Sequence, residues 1–243
     1  MTETLGTYED LAQEYYDESR HPTCANFRQA SAILFRKWLP KLPSHSRWSC
    51  EIGPGKSLVA EFRTLGEFSS EGLFLIDSSH SMLKHSRIYS TPRQIAIIGT
   101  ATTVPLAGDS VEVAASFLGD PYNVSQFWHE VFRILKVGGK FMFTTPSYEW
   151  ASAFRKGLSA EKQASAEFVL ANGRKVFVPS FILPDKKQFD LIKTAKFKIL
   201  DFAGVRVSDL DDHRVSPKLM VKRSEELTAV TGYLCEKSSG AGS

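Results

Sequence analysis

The stretch EIGPGKS, residues 51–57, sits between two runs of different period, and what such a turn can hold decides how the rest of the chain reads. Upstream, RWSCEI at 47–52 is a short, largely apolar run of strand character. Downstream, SLVAEFRTL at 57–65 spaces its apolar positions as a helix does. Two glycines around a proline make the turn and leave it almost bare of side chains.

Working outward, the same alternation continues. EGLFLID at 71–77 is a second buried strand ending in an acid, and SSHSMLKHS at 78–86 opens on serines suited to capping a helix. RQIAIIG at 93–99 and SVEVAASFLG at 110–119 are the third and fourth strands. SQFWHEVFRILKVGGK at 125–140 places Phe127, Val131, Ile134 and Leu135 on one stripe, which predicts a helix that stops at the Gly138-Gly139 pair. KFMFTTP at 140–146 is the fifth strand; a helix over 185–195 and strands over 197–205 and 229–237 follow. Nearly all-apolar strands alternating with helices predict an α/β fold: a mostly parallel sheet with helices on both faces, binding its ligand beyond the strands' carboxyl ends.

Two segments depart from that pattern. Residues 8–40 read as two amphipathic helices broken near His21-Pro22, and EFVLANGRKVFVPSFI at 167–182 as a hairpin around Asn172-Gly173. With no repeat and no linker visible, one elaborated domain over 1–243 is expected.

Composition narrows the function classes. A chain of 243 residues, 42% apolar, can bury a continuous core, and its formal charge of +3 is too small for a protein devoted to neutralising nucleic-acid phosphates. Lys186, Lys187, Lys193, Lys196 and Lys198 make the C-terminal part the more basic one, and a solvated face is expected there. Cys24, Cys50 and Cys235 are odd in number and far apart, which indicates neither a disulfide framework nor a metal site. No secretion leader and no apolar run of about 18 residues is apparent, so a cytoplasmic protein without a membrane span is expected. SSGAGS at 238–243 reads as a disordered end or an added tail.

Three ligands compete for the 51–57 turn. A P-loop needs a glycine five residues ahead of Gly55-Lys56-Ser57, and that position is Cys50. A dinucleotide fingerprint needs a third glycine at 58, where the chain has Leu58. What remains, Glu51 with Gly53, Pro54 and Gly55 and the small Ser57, resembles the first motif of class I S-adenosylmethionine-dependent methyltransferases, acid-x-Gly-x-Gly-x-Gly, with serine in place of the third glycine.

The resemblance extends in order. LIDSSHSML, with Asp77 22 residues after Gly55, is similar to the family's second motif; GTATTVPLAGDSVEVAASFLGD is similar to its third loop and fourth strand; HEVFRILKVGGKFMFTTPS resembles the next helix, turn and fifth strand. It implies a Rossmann-like fold whose seven-stranded sheet the last two strands complete, with S-adenosyl-L-methionine as cofactor and no metal. It further implies an N-terminal helical lid over 1–45, a donor-binding core over 46–147, an acceptor-side insert over 148–185 and a C-terminal helix and strands over 186–237. The donor site it implies comprises Glu51 toward the ammonium, Gly53, Pro54 and Gly55, Asp77 and Ser78 at the ribose, Met82, Thr100 and Ala101 at the adenine where relatives often have an acid, Ser116, and Tyr15 and Tyr16 from the lid.

The resemblance implies methyl transfer to an O or N atom of a small-molecule acceptor. A nucleic-acid or protein substrate and a non-catalytic, cofactor-binding subunit are the other readings. GDPYN at 119–123 partly resembles the Asp/Asn-Pro-Pro-Tyr/Phe motif of amine methyltransferases, which makes Asp120 and Tyr122 catalytic candidates; the plainer reading is a turn. His21 is a third candidate, as a proton acceptor. Apolar residues of the insert, Phe168 to Ile182, suit either a pocket wall or a homodimer contact.

Overall fold

A computed structural model describes residues 4–89, 91–211, 215–220 and 226–239 of the chain. Residues 240–243 of the expected disordered tail lie outside the described residues. In chain order the elements are β1 (Thr4–Leu5), α1 (Tyr8–Leu11), α2 (Pro22–Trp38), β2 (Ser46–Ile52), α3 (Leu58–Thr64), β3 (Ser70–Asp77), α4 (His80–Lys84), β4 (Gln94–Ile98), β5 (Val111–Ser116), α5 (Ser125–Ile134) and β6 (Leu135–Pro146). The insert supplies α6 (Tyr148–Phe154), α7 (Ala160–Gln163), β7 (Ser165–Val169) and β8 (Lys175–Pro179). The chain then closes through α8 (Asp185–Thr194), β9 (Phe197–Arg206) and β10 (Thr228–Lys237).

Seven strands form one sheet in the order β4-β3-β2-β5-β6-β10-β9, parallel except for β10, which runs antiparallel to both of its neighbours. This is the mostly parallel α/β architecture that the apolar runs predict, with the seven Rossmann-like strands that the resemblance implies. Helix α2 packs on one face through Ala30, Leu34, Phe35 and Trp38, none more than 1% exposed. Burying each of its larger side chains contributes about 1.5–3 kcal/mol. Gly232 of β10 makes room for it: a Cβ there would lie 2.6 Å from the Trp38 ring. The other face is aromatic, with Phe127 and Trp128 of α5 against Phe141 and Phe143 of β6.

Three local expectations are corrected. Helix α5 ends at Ile134, short of the glycine pair, because Asp109 N and Ser110 N donate to the carbonyls of Arg133 and Ile134 (3.0 and 2.8 Å) and satisfy the helix end early. Gly138, at φ +76°, then lies inside β6. The first lid helix is only the single turn α1, started by Thr7, whose N–H and hydroxyl donate to Asp10 at 2.9 and 3.0 Å. Successive helical residues point about 100° apart, so irregular backbone after Leu11 is what lets the neighbours Tyr15 and Tyr16 face the same space. The hairpin forms as β7-β8, but β1 adds to it in parallel, pairing Thr4 with Val176 and Leu5 with Phe177. The insert thereby becomes a three-stranded sheet that carries the lid with it.

Among the described residues no helix is long and apolar enough to cross a membrane.

Candidate active site

Strands β2, β3, β4 and β5 end at Ile52, Asp77, Ile98 and Ser116 along one edge of the sheet. A cavity of about 390 Å³ lies there. Its floor is Glu51, Gly53 and Pro54, and one wall is Asp77, Ser78 and Met82 with the 100–102 turn. Tyr8, Tyr15 and Tyr16 of the lid line it from another side, and Phe117, Pro121, Tyr122, Val178 and Pro179 close the end nearest the insert.

The glycine turn has a local reason for its composition. Gly53 and Gly55 adopt φ +65° and +47°, and a Cβ on either would lie 2.1 Å from a phenol oxygen, that of Tyr122 or Tyr16 respectively. Tyr122 OH donates to Ile52 O at 2.8 Å, while Tyr16 OH accepts from Lys56 N at 2.7 Å. Two tyrosines are thus seated on the bare backbone from opposite sides.

The Glu51 carboxylate accepts from Ser57 Oγ, from Leu58 N at 3.2 Å and from Val59 N at 3.1 Å, which ties the end of β2 to the start of α3. Burial nevertheless pushes its pKa up to about 7, outweighing those hydrogen bonds and the nearby Arg28 charge. Asp77 is also buried and its pKa raised for that reason; Oδ1 accepts from Ser79 N at 2.9 Å and Oδ2 from Gly55 N at 3.3 Å. A carboxylate can accept from further donors beside these, and a vicinal diol would supply two.

The lid is pinned over this space. Glu9 accepts from Ser79 Oγ at 2.6 Å, from Ser81 N at 3.1 Å and from Ser81 Oγ, hydrogen bonds that bring its pKa down to about 2. His85 Nε2 meets Ala12 O at 2.6 Å, and Glu14 accepts from Ala171 N at 2.9 Å. Core, lid and insert are therefore joined around the cavity.

The predicted site residues are not all brought together. Glu51, Gly53, Pro54, Asp77, Ser78, Met82, Thr100, Ala101, Tyr15, Tyr16 and Tyr122 line the cavity. Gly55 lies under Tyr16, and Ser116 is fully buried with its Oγ 2.8 Å from Tyr122 OH. The structure places the other two elsewhere. Asp120 does not line the cavity: Ser180 Oγ donates to its Oδ2 at 2.5 Å, and Ser180 in turn accepts from Arg155 at 2.8 Å. His21 heads α2 and faces a neighbouring cavity.

Tyr8, Cys24, Arg28 and Lys56, none of which the sequence analysis places in the site, also line the cavity. Lys56 is half-buried, and Cys24, hydrogen-bonded by Tyr15, is a neutral thiol that burial pushes up to about 12. The only sequence signal for Tyr8 was its place on the Leu11–Tyr15 stripe, and Arg28 left none.

Residues 50–143 match the sequence profile of the family described as "Methyltransferase domain". No curated protein matches the chain in sequence. Solved structures share its fold. A chain of the Haloferax volcanii complex between the Trm112 methyltransferase activator and a candidate methyltransferase aligns with TM-score 0.68 at 15% identity, over 97% of this chain and 100% of that one. A candidate S-adenosylmethionine-dependent methyltransferase from Listeria monocytogenes gives TM-score 0.64 at 13% identity, over 88% and 99%. The S-adenosylmethionine-dependent methyltransferase of Clostridium acetobutylicum gives 0.62 at 13%, over 96% and 99%.

Proposed function

We propose that this chain, whose residues 50–143 form a methyltransferase domain and whose methyl donor is S-adenosylmethionine, transfers that methyl to an O or N atom of a small molecule. The observation that supports the small acceptor is the flanking of the site by lid and insert. Lid and insert are hydrogen-bonded to the core and to each other, and the space left is about 390 Å³.

In this reading Asp77 takes the ribose hydroxyls, Glu51 faces the donor's ammonium, and Thr100 and Ala101 lie along the adenine. The donor supplies a methyl on a positively charged sulfur, a good leaving group that keeps the bonding electron pair. The protein's part is alignment in a dry pocket. Tyr8, Phe117, Pro121 and Val178 wall the end nearest the insert and exclude water there. Tyr8, whose pKa burial raises well above the usual phenol value, stays a neutral hydrogen-bonding group. No histidine lines the cavity among the described residues, so no imidazole takes the acceptor's proton there.

Incubation with methyl-labelled donor and a metabolite extract tests the proposal. Label in the small-molecule fraction is the expected result. Label in nucleic acid or protein would sink the small acceptor, and S-adenosylhomocysteine binding without any transfer would favour the non-catalytic subunit.

Donor binding is also expected to depend on pH. The free protein holds a proton on Glu51 below about 7, and an ammonium beside it favours the ionised form, so binding releases that proton. Affinity should rise as pH increases through about 7. Calorimetric titration of S-adenosylhomocysteine across that range checks this; a flat profile would show that Glu51 does not face the ammonium.

A further inference from the structure

Four tyrosines line the cavity, and three of their hydroxyls are committed to its walls. Tyr122 OH donates to Ile52 O and lies 2.8 Å from Ser116 Oγ, Tyr16 OH accepts from Lys56 N, and Tyr15 OH bonds the Cys24 thiol. The Tyr8 hydroxyl has no hydrogen-bond partner among the described residues. A phenol oxygen withdrawn from water and left unpaired is costly, so it marks a place that a polar group of a ligand fills.

The fold fixes where that hydroxyl stands. Gly6 N donates to Phe177 O at 3.0 Å, a Cβ on Gly6 would lie 2.1 Å from Val176, and the bonds between Thr7 and Asp10 start α1 at Tyr8 itself. The Tyr8 ring packs against the insert cluster that contains Val176 and Val178, and meets Tyr15 edge-on with centroids 5.8 Å apart. Lid and insert therefore hold the phenol jointly.

Its surroundings select what it can meet. Phe117, Pro121, Val178 and Pro179, at the same end of the cavity, carry no charge and no side-chain hydrogen-bonding group. The two cations of the cavity, Arg28 and Lys56, lie instead where it adjoins a second cavity, together with Tyr15 and Tyr16. Burial first, and then the nearby negative charges of Asp120 and Asp77, hold the Tyr8 pKa well above the usual phenol value. An anionic body would find those carboxylates and no cation, at the cost of its own hydration. An ammonium has no lone pair with which to take a methyl. A neutral body with apolar flanks remains. The direction of its hydrogen bond follows from the reaction, because a nucleophile that donates its O–H or N–H keeps its lone pair free, and a phenol oxygen can accept.

We propose that the insert end of the cavity takes a neutral acceptor with an apolar body and a single O–H or N–H nucleophile, and that this group donates to the Tyr8 hydroxyl. The assignment rests on the reading of the rest of the cavity as the donor site. Tyr8 is an acceptor-binding residue in it: it turns the nucleophile's lone pair toward the donor's methyl.

Phenol, toluene and benzoate, titrated by ligand-detected NMR into protein saturated with S-adenosylhomocysteine, provide the test. They share one ring and differ in the group that Tyr8 would meet. Tyr8→Phe keeps the ring of the wall and removes only the hydroxyl. It is expected to weaken phenol about three- to tenfold and to change toluene by less than about twofold, while benzoate binds the wild type at least about tenfold more weakly than phenol. Equal losses for phenol and toluene would make Tyr8 a packing residue, and no loss for phenol would place the nucleophile elsewhere; each overturns the assignment. Benzoate bound as tightly as phenol, or phenol not bound at all, would overturn the neutral acceptor. Protein that binds no S-adenosylhomocysteine would sink the donor reading itself, an outcome distinct from any of these.

Discussion

Asp120→Asn is expected to raise the stability of the protein by up to about 3 kcal/mol at pH 7 and to change it little at pH 4. Burial raises the Asp120 pKa from 3.8 to about 6, against the Ser180 hydrogen bond and the Arg155 charge, which lower it. A raised folded value means that the folded state holds the proton more tightly than the unfolded chain does. Stability from this group is therefore present below about 4 and is lost as pH rises through about 6. The rise from 3.8 to about 6 sets the size of the loss, at about 1.36 kcal/mol for each tenfold gain in proton affinity.

Asparagine cannot ionise and keeps a carbonyl oxygen for Ser180, so it escapes that loss. The competing effect is the attraction between Asp120 and Arg155, whose guanidinium is also buried. Geometry decides against it. The two groups are bridged through Ser180 Oγ, and Arg155 already donates to the carbonyls of Gln163 at 2.6 Å and Ser180 at 3.2 Å. Urea unfolding of both proteins between pH 4 and 7 gives the answer; an asparagine variant less stable at pH 7 would show that the charge pair outweighs desolvation. Asp120 on this account fastens the insert to the end of β5, a task that its backbone carbonyl shares by accepting from Phe181 N at 2.8 Å.

The GDPYN loop illustrates what a sequence can and cannot convey. Its position after the fourth strand was legible, because buried parallel strands are apolar runs that carry their own boundaries. So were the glycine turn and the acid at the end of β3, since both follow from where ligands meet such sheets. The partner that captures Asp120 was not legible: Ser180 lies 60 residues away and nothing local links the two. Arg28 stayed hidden for the same reason. It sits on α2 as an ordinary helix residue, and only the packing of α2 against the start of α3 brings it to Lys56 O and Glu61. Pairing of β1 with β8 was beyond reach too, because Thr4–Leu5 is too short for any period. Periodicity reports the face an element buries, whereas a site assembled from several elements depends on contacts that periodicity does not encode.

Asp77→Ala is expected to weaken S-adenosylhomocysteine binding by about 1.5–3 kcal/mol, the usual loss for hydrogen bonds to a charged group. The carboxylate is held in place before any ligand arrives, by Gly55 N and Ser79 N, so little ordering cost is left to the binding step. Alanine would also strand those two N–H groups and destabilise the turn, and a bare loss of affinity would not separate the two causes. A double-mutant cycle does. Removing the ribose 2′-hydroxyl from 5′-methylthioadenosine should weaken binding to the wild type, yet make little further difference once Asp77 is alanine, because the partner of that hydroxyl has gone. The same penalty for the deoxy ligand in both proteins would place the ribose away from Asp77 and with it the nucleoside away from the ends of β2 and β3. Since Gly55 N bonds the same carboxylate that would hold the sugar, a coupled result would show that the glycine turn and the acid at the end of β3 act as one cradle.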